Sequence, residues 1–532
     1  MTSPKVPSHI LFFGDSLTDE HNVHDLTGRT AIVTLPVESA GYTEAFTNGA
    51  VHAAVATDLL GIGRENYAVG YAHAVGSLTV EEYVSSRLGG QVQGLDPIRP
   101  DATEADLDYD LYLGGQVARY RADAATVAPA RGTAAAFLIG LNDYSDFVPS
   151  TQVTAPIEAA LLVQGVVGNT IRAAEQVAAT GVETVLLYTM PSFRFFPLSA
   201  QTPDDLLALG DTLVGAHNDL LSRGAGELED AGVTVGWIDF NRLAGDIMAD
   251  PGTFGLRPDL FGQPVLLGSG GNPTLVEQPD GSYDGAFPAN PAVAGVDRDQ
   301  LAFFDIVHPT AAVHAVLGAF TAATLTSETH FFGGGNDVVL GGARRDLVLA
   351  GAGDDRVLAG ARDDIVLAGR GDDSVAAGHG DDIVAGGSGR DLLFGGNGND
   401  VLATGAGSDR AWGGRGADLM VDGAGLDALH GGAGADAFVF VDPKLRGAAV
   451  SDGDGGCMSG DRGADTLYLL LGSDTRVAVE AELREGAPVQ HLTAIGLETR
   501  GIEHVVLLDS AEELAAIETP ARIDEAALWG FV

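Results

Sequence analysis

The sequence predicts two folds in succession: a three-layer α/β/α domain with a parallel sheet, and then an all-β parallel β-roll. In the first part, short apolar runs alternate with helical stretches, a pattern typical of a parallel sheet covered by helices. From residue 337 onward, aspartate recurs at every ninth position, which indicates a stack of short repeated strands. We expect a first domain over residues 1–328, the roll over 329–440 and a C-terminal cap over 441–532.

Five apolar runs predict the strands of the first domain: His9–Phe13, Asn66–Val69, Ala134–Ile139, Thr184–Tyr188 and Val233–Ile238. Helices are predicted between and after them at Ala50–Leu60, Ala155–Ala179, Asp204–Asp230 and Ala311–Leu325. Two polar stretches, Ser77–Asp110 and Pro251–Asp299, are interpreted as insertions. Insertions of this length form either pocket walls and lids or solvated surface loops.

Polar or small residues follow the first three predicted strands at the points where those strands end. Ser16 follows the first, Gly70 the second and Asn142 the third. The carboxyl ends of parallel strands meet at one edge of a sheet, where ligands bind. We expect Ser16 to lie on a strand-to-helix turn, where backbone amides can face a developing oxyanion.

Asp305 and His308 lie three residues apart, just before the last predicted helix. A serine hydroxyl needs a base to become a nucleophile, and histidine suits that role when a carboxylate fixes its tautomer. The spacing lets the Asp305 carboxylate reach one ring nitrogen of His308 and leaves the other for Ser16. His314 is interpreted as structural.

The motifs around these positions resemble those of the GDSL or SGNH hydrolases, in the branch that includes plant GDSL lipases and bacterial secreted esterases. The resemblance covers about residues 7 to 325 and is carried by the segments Phe12–Asp19, Thr47–Gly49, Asn66–Gly70, Ala135–Tyr144 and Asp305–Pro309. One departure is Tyr71, where the family usually has a small residue after the glycine.

The resemblance implies a serine carboxylic ester hydrolase that needs no cofactor for catalysis. Ser16 would be the nucleophile, His308 the general base and Asp305 the residue that orients it. The oxyanion would be held by the backbone amides of Ser16 and Gly70 and by the side-chain amide of Asn142. The sequence does not separate an esterase from a lipase, a phospholipase or a carbohydrate deacetylase.

The nine-residue period has a glycine four positions before each aspartate and an apolar residue two positions after it. This pattern resembles the calcium-binding repeats of RTX proteins. Carbonyl and carboxylate oxygens are hard ligands that suit Ca²⁺, so we expect structural calcium. The predicted ligands are Asp337, Asp346, Asp355, Asp364, Asp373, Asp382, Asp391, Asp400, Asp409, Asp418, Asp427 and Asp436.

Departures from the repeat predict unequal calcium sites. Alanine replaces the first glycine at 350, 359, 368 and 377, and Arg344 and Arg362 replace a later one. We therefore expect the first few sites to be weak and those from Asp373 to Asp436 to bind best. Gly460–Leu467 resembles one more turn, out of phase with the array.

Composition excludes several classes of partner. The net charge of −45 and the absence of a basic face argue against nucleic acid, and no run of 18 apolar residues suggests a membrane span. Met1–Ser8 lacks the pattern of a signal peptide, and the single Cys457 excludes an intramolecular disulfide. The resemblance to RTX proteins implies type I secretion from a bacterium to the extracellular space. The tail Glu525–Val532 is either the uncleaved secretion signal or an ordinary cap.

Calcium would couple folding of the roll to export. Extracellular calcium modules bind at about 0.1 to 1 mM, far above cytosolic calcium, so the repeats would fold only outside the cell. Two alternatives to a secreted esterase stay open. One is a calcium-dependent adhesin or surface protein with an inert hydrolase fold. The other is a membrane-damaging toxin, although no long amphipathic or apolar segment supports pore formation. The sequence fixes neither the number of occupied calcium sites nor the oligomeric state.

Overall fold

A computed structural model of the chain describes residues 6–31, 35, 42, 45, 47, 50–70, 72–89, 91, 96–150, 156–249, 251–254, 256–267, 273–278, 283–296, 298–443, 445, 455–484, 487, 489–509 and 513. The chain forms two compact units. The first comprises residues 1–245 and 260–325, and the second comprises 246–259 and 326–532. None of the described helices combines the length and apolarity needed to cross a bilayer.

A five-stranded, all-parallel sheet forms the centre of the first unit, in the order β2-β1-β3-β4-β5. Its strands are β1 His9–Gly14, β2 Gly63–Asn66, β3 Thr133–Leu138, β4 Thr184–Tyr188 and β5 Thr234–Ile238. β2 begins and ends three residues before the predicted second strand, Asn66–Val69. Beyond β2, Tyr67 and Val69 still donate backbone hydrogen bonds to Phe12 and Gly14 of β1.

Helices follow or separate these strands: α1 Asn22–Thr30, α2 His52–Leu60, α3 Val80–Leu88, α4 Glu104–Leu107, α5 Leu113–Ala124, α6 Leu141–Ser150, α7 Pro156–Ala178, α8 Asp204–Asp230, α9 Phe240–Ala249 and α10 Ala311–Thr326. Short 3-10 helices lie at Phe193–Phe195, Pro197–Gln201, Pro251–Phe254, Pro258–Leu260, Pro291–Val293, Arg298–Gln300 and Thr493–Ile495. The insertion at Ser77–Asp110 contains α3 and α4. The one at Pro251–Asp299 contains a hairpin of β6 Thr274–Glu277 and β7 Tyr283–Ala286.

Successive side chains of a strand point to opposite faces, and both faces of the sheet are covered. Leu11 and Phe13 of β1 belong to a buried cluster with side chains of α5, α7 and α8. Phe12 lies edge-on to His52 of α2, and Tyr188 is hydrogen-bonded to Thr321 of α10. The sheet therefore lies between two helical layers, which is the predicted α/β/α arrangement.

The second unit is a parallel β-roll in which the strands alternate between two sheets. One sheet contains β8 Glu328–Phe331, β10 Asp346–Ala352, β12 Ile365–Arg370, β14 Ile383–Gly389, β16 Val401–Ala403, β17 Ala406–Gly407, β19 Leu419–Val421, β21 Ala437–Val441, β23 Thr466–Leu470 and β26 His504–Leu508. The other contains β9 Val338–Leu340, β11 Arg356–Ala361, β13 Ser374–His379, β15 Leu392–Asn397, β18 Arg410–Arg415, most of β20 Ala424–Ala433, β22 Gly455–Arg462, β24 Val489–Leu492 and β25 Leu497–Arg500.

Two nine-residue repeats make one coil, because each strand pairs with the strand 18 residues further on, as Leu347 does with Ile365. The apolar residue of every repeat points inward from one sheet or the other, and Val348, Val357, Val366 and Val375 are fully buried in one thin core. The repeat period therefore sets the register of both sheets.

The parallel stack does not end at residue 440, where the sequence predicts the roll to stop. Ala437 pairs with Thr466, 29 residues later, so this coil is longer than the 18-residue coils before it and hides the period. β22, β23, β25 and β26 extend the same two sheets, with α11 Ser473–Glu482 beside them. The proposed secretion signal, Glu525–Val532, lies outside the described residues.

Candidate functional site

Three side chains from distant parts of the first unit form a hydrogen-bonded chain. The Oγ of Ser16 lies 2.9 Å from Nε2 of His308, and Nδ1 of His308 lies 2.7 Å from Oδ2 of Asp305. Ser16 is half-buried, whereas His308 and Asp305 are buried. The serine therefore reaches the solvent side of a dyad that is itself shielded from water.

A tight loop before α10 carries the dyad. Oδ1 of Asp305 accepts the backbone N–H groups of Val307 and His308, both at 2.8 Å, which folds the chain back on itself. The N–H of Phe304 donates to the carbonyl of His308 at 2.9 Å and closes the loop. The three-residue spacing thus works through a side-chain-capped loop rather than through a helical turn.

Tyr42 also contacts the carboxylate, and sequence reasoning missed it. Its hydroxyl donates to Oδ2 of Asp305 at 2.5 Å, the oxygen that also accepts from His308. The Tyr42 ring is held edge-on against Phe304, with 4.6 Å between ring centroids. The two residues are 263 positions apart in sequence, and no local motif signals the contact.

The hydrogen bonds set the charge state of Asp305. Burial raises the pKa of its carboxyl, but the charge of His308 and hydrogen bonds from His308, Tyr42 and Val307 outweigh it. The net effect holds the pKa of Asp305 below its ordinary value of 3.8. A carboxylate that is ionised at neutral pH at this place orients the imidazole and stabilises it when it becomes protonated.

Ser16 was expected on a turn that leads directly into a helix. It lies instead in a single hydrogen-bonded turn that does not continue as a helix. The N–H groups of Thr18 and Asp19 donate to the carbonyl of Asp15, and α1 begins only at Asn22. Gly14 precedes the turn, and a Cβ there would lie 2.4 Å from the Leu138 carbonyl oxygen. The glycine is needed because β1 and β3 lie so close at this point.

Buried polar groups hold this turn in place. The side chain of Gln116 accepts from the N–H of Gly14 at 3.0 Å and donates to its carbonyl at 2.8 Å, which fixes the end of β1. The carboxyl of Asp15 accepts from the N–H of Leu17, and burial raises the pKa of Asp15 to about 7. Gln116 has no motif of its own in the sequence.

The N–H of Gly70, a predicted oxyanion donor, donates to Oδ2 of Asp19 at 2.8 Å in this structure. Asp19 is fully buried, and its Oδ1 accepts the N–H groups of His21 and Asn22. Such charge-assisted bonds to a buried carboxylate are strong. Gly70 thus lies next to the Ser16 turn, but its N–H is directed at a carboxylate. Tyr71 lies outside the described residues.

Asn142, the third predicted donor, lies in the first turn of α6. Its side-chain nitrogen donates to the carbonyl of Ala72 at 3.0 Å, and an amide nitrogen carries a second hydrogen. The neighbouring Asp143 accepts the N–H groups of Ala74 and Val75. This helix end therefore fixes the loop that follows Gly70.

The predicted calcium ligands form two buried rows along the edges of the roll. In each row, the N–H of one aspartate donates to Oδ1 of the aspartate 18 residues further on, as Asp382 does to Asp400 and Asp400 to Asp418. The other oxygen, Oδ2, is buried without a hydrogen-bond partner among the described residues at Asp364, Asp373, Asp382, Asp400, Asp409, Asp418, Asp436 and Asp465.

The rows are electrostatically costly without a cation. Burial, reinforced by the charge of neighbouring aspartates in the row, raises the pKa of Asp364, Asp400 and Asp409 to about 8. No group of three or more His, Cys, Asp or Glu side chains among the described residues could hold a metal ion. Any calcium here would therefore need backbone carbonyls besides the carboxylates, which suits its demand for six to eight oxygens.

The first glycine of the repeat keeps space open beside Oδ2. A Cβ at Gly395, Gly413 or Gly431 would lie 2.3 to 2.4 Å from Oδ2 of the aspartate five residues on. Ala350, Ala359, Ala368 and Ala377 carry a methyl group at the equivalent position. The donor set fits calcium best where the glycine is retained.

The predicted ligands at 337, 346 and 427 differ from the rest. Asp337 is half-buried. Asp346 is already engaged, because its oxygens accept from His330 at 2.9 Å and from the N–H of Gly342 at 3.0 Å. Oδ2 of Asp427 accepts from Thr404 and from the N–H of Gly423. Asp465, which is not among the predicted ligands, extends the row that contains Asp436, since its Oδ1 accepts the N–H of Asp436.

Comparisons with known proteins agree with both parts of this description. A family model described as GDSL-like Lipase/Acylhydrolase matches residues 10–320. A model described as RTX calcium-binding nonapeptide repeat matches residues 333–365, 358–393, 380–411, 394–429, 412–439 and 458–475. A search of the curated proteins finds no match.

Proposed function

The chain belongs to the GDSL-like lipase and acylhydrolase family and carries RTX calcium-binding repeats, and from this premise we propose that it is a secreted serine ester hydrolase. The observation that supports the proposal most directly is the hydrogen-bonded chain from Ser16 through His308 to Asp305. The family makes the protein a hydrolase. The nucleophile, the substrate class and the location are the proposal.

In the proposed reaction, Nε2 of His308 takes the proton of Ser16 as Oγ attacks the ester carbonyl carbon. The ester C–O bond then breaks, His308 returns the proton to the leaving alcohol, and Ser16 carries the acyl group. A water molecule is activated by His308 in the same way and releases the carboxylic acid. Asp305 keeps Nδ1 of His308 protonated throughout.

Negative charge on the carbonyl oxygen needs donors. The Ser16 N–H and the Nδ2 group of Asn142 are proposed to supply two of them. The Gly70 N–H can take part only if it leaves Asp19, which binds it here. Loss of one oxyanion donor typically costs about 100- to 1000-fold in rate.

Calcium is proposed to act on the roll and not on the reaction. Bound within each aspartate row, it would supply positive charge that offsets the repulsion among buried carboxylates and so stabilise the folded roll. The carboxylate ligands would come from Asp364, Asp373, Asp382, Asp391, Asp400, Asp409, Asp418, Asp436 and Asp465. Export by a type I secretion system would then deliver an unfolded chain that folds in external calcium.

The test is hydrolysis of p-nitrophenyl esters of increasing acyl length by the wild type, Ser16→Ala and Ser222→Ala. Ser222 is an exposed serine of α8, so its variant controls for the same chemical change elsewhere. We expect Ser16→Ala alone to lose turnover, by about 10³-fold or more. Equal rates for all three proteins would contradict the proposal, and a silent wild type across all esters, including phospholipids and sugar acetates, would favour an adhesin.

A further inference from the structure

One outer face of the roll carries a stripe that is rich in apolar side chains and also contains two arginines. In β9, β11, β13, β15, β18 and β20 one inward-pointing apolar residue lies in register with the next and is buried: Val339, Val357, Val375, Leu393, Ala411 and Leu429. The residues on either side therefore point outward. They form two aligned columns: Val338, Arg356, Ser374, Leu392, Arg410 and Ala428, and Leu340, Leu358, Ala376, Phe394, Trp412 and His430. We refer to these two columns as the outer stripe.

Four large apolar members of the outer stripe, Val338, Leu340, Leu358 and Phe394, are exposed, and Leu392 and Trp412 are half-buried. Val338 is 63% exposed, Leu340 65% and Leu358 54%. Phe394, Trp412 and His430 stack face to face, with ring centroids 4.9 and 5.5 Å apart. Because the ring faces cover one another, the ring edges are what the stack presents outward. Contiguous exposed apolar patches larger than roughly a few hundred Å² often mark interaction sites on soluble proteins.

The charge of the outer stripe is unlike that of the chain. None of its twelve members is Asp or Glu, although the chain has 74 acidic residues and a net charge of −45. Beyond β20 the same columns continue through Cys457 and Ser459 to Glu498 and Arg500, where the acid-free surface ends. Arg356 and Arg410 are exposed within it. A long arginine side chain can lay its stem on an apolar surface and keep its charge at a polar boundary. Apolar, aromatic and arginine side chains together suit the boundary between acyl chains and phosphate headgroups.

The dimensions argue against a second copy of the chain as the occupant. Six strands spaced about 4.8 Å apart give a length of about 24 Å, and the two columns are about 7 Å apart. The twelve residues of the outer stripe are fewer than the roughly 20–30 that each partner contributes to a stable protein interface. A lipid surface needs no such number of residues, since each inserted side chain contributes independently.

We propose that the outer stripe docks the protein on a zwitterionic phospholipid surface. Acyl chains contact Leu340, Leu358, Phe394 and Trp412, and headgroup phosphates contact Arg356 and Arg410. Exposed aspartates on the turns of the roll, such as Asp354, Asp363 and Asp372, repel strongly anionic lipid and so favour a neutral headgroup. The docking does not depend on the hydrolytic role of Ser16.

The test uses the full chain in calcium with sucrose-loaded phosphatidylcholine vesicles and measures cosedimentation. The variant Leu340→Glu/Leu358→Glu should bind the vesicles at least about tenfold more weakly than the wild type, because two carboxylates enter the stripe. Val127→Glu/Val477→Glu is the matched control, since these valines are 75% and 69% exposed outside the stripe. It should bind within about twofold of wild type, as surface changes elsewhere usually do. Ser16→Ala should bind like wild type.

A second readout needs no glutamate variant and so stays valid if those variants fail to fold. Tryptophan fluorescence of the wild type should shift to the blue on vesicle binding, and Trp412→Phe, which keeps the ring stack, should lose the shift. The proposal is overturned if the wild type neither sediments with phosphatidylcholine nor shifts, or if the stripe variant binds as well as its control. It is also overturned if binding requires anionic lipid, or if the stripe variant turns a dimer into a monomer in sedimentation equilibrium.

Discussion

The hydroxyl of Tyr42 and the ring Nδ1 of His308 share one oxygen, Oδ2 of Asp305, at 2.5 and 2.7 Å. The two donors hold the carboxylate from two sides, while Oδ1 is fixed by backbone N–H groups. Rotation of the Asp305 carboxylate would break several hydrogen bonds at once. Tyr42 therefore acts as a positioning residue for the dyad.

Replacement of Tyr42 by Phe should slow turnover more than it weakens substrate binding. The ring would still pack on Phe304, but the hydrogen bond to a charged acceptor, typically about 1.5–3 kcal/mol, would be lost. We expect kcat to fall roughly tenfold with KM nearly unchanged, because the variant mispositions His308. Tyr188→Phe is the control, since Tyr188 donates or accepts a buried hydrogen bond with Thr321. An unchanged kcat in Tyr42→Phe would show that Oδ2 needs only His308.

Asp19 should be essential for the stability of the loop around Gly70. Asp19→Asn would replace a buried carboxylate that accepts three backbone N–H groups with an amide that accepts fewer. We expect the free energy of unfolding to fall by about 2–4 kcal/mol in urea denaturation. Asp58→Asn, at an exposed carboxylate on α2, should change it by less than about 0.5 kcal/mol. A loss for Asp19→Asn no larger than that of the control would contradict the assigned role.

The effect of removing an aspartate on the calcium dependence of the roll should depend on whether its Oδ2 already has a hydrogen-bond partner. Asp400→Ala removes a carboxylate with an unpartnered Oδ2, whereas Asp427→Ala removes one that Thr404 and Gly423 already satisfy. The calcium midpoint of folding, followed by circular dichroism, should rise several-fold for Asp400→Ala and less than about twofold for Asp427→Ala. The reverse order, or folding of the roll in EGTA, would show that the orphaned oxygens do not bind calcium.

The alanine substitutions in the early repeats offer a gain-of-function test. A Cβ at position 395 would lie 2.4 Å from Oδ2 of Asp400. Gly395→Ala should therefore weaken calcium binding. Ala368→Gly should strengthen it by opening the same space beside Asp373. The measurement is again the calcium midpoint of each variant. A lower midpoint for Gly395→Ala than for wild type would disprove the steric argument.

Acid should destabilise the first unit partly through His217. Burial lowers the pKa of His217 from 6.5 to about 3, and its Nδ1 is hydrogen-bonded to the hydroxyl of Tyr144. In the unfolded chain His217 is protonated below about pH 6.5, whereas in the folded chain it is protonated only below about pH 3. Between these two values, protonation of His217 therefore favours unfolding. Stability from this group is therefore intact above pH 6.5 and falls by about 1.4 kcal/mol per pH unit below it.

His217→Asn keeps a group that can donate to or accept from Tyr144, but it does not titrate. The free energy of unfolding of the variant minus that of the wild type should therefore increase as the pH falls from about 6.5 toward 4. Parallel stability curves for the two proteins over this range would show that His217 is not the residue that resists protonation.

Much of the fold follows from local sequence. Apolar runs between helical stretches predict a parallel sheet, and a nine-residue period fixes the register of the roll, because each coil repeats the same contacts 18 residues later. The comparisons confirm the resemblance to GDSL hydrolases and to RTX repeats. The end of the roll was missed, since one coil spans 29 residues and breaks the period.

The site is only partly readable from the sequence. Ser16, Asp305 and His308 stand out because each lies in a short motif with its own spacing, and their catalytic roles stay predictions. Tyr42, Asp19 and Gln116 act through contacts across long separations, which no local pattern encodes. The contacts of His330 with Asp346 and of Thr404 with Asp427 are of the same kind, and they decide which aspartates keep an open oxygen.

The most direct test of the account is covalent labelling with a fluorophosphonate, followed by intact-mass measurement and peptide mapping. The reagent modifies a serine only where a neighbouring base activates it, and it requires no knowledge of the natural ester. We expect one adduct per chain, on Ser16, that disappears in Ser16→Ala and persists in Ser222→Ala. An adduct on another residue, or an unlabelled wild type, would contradict the assignment of Ser16 as the nucleophile.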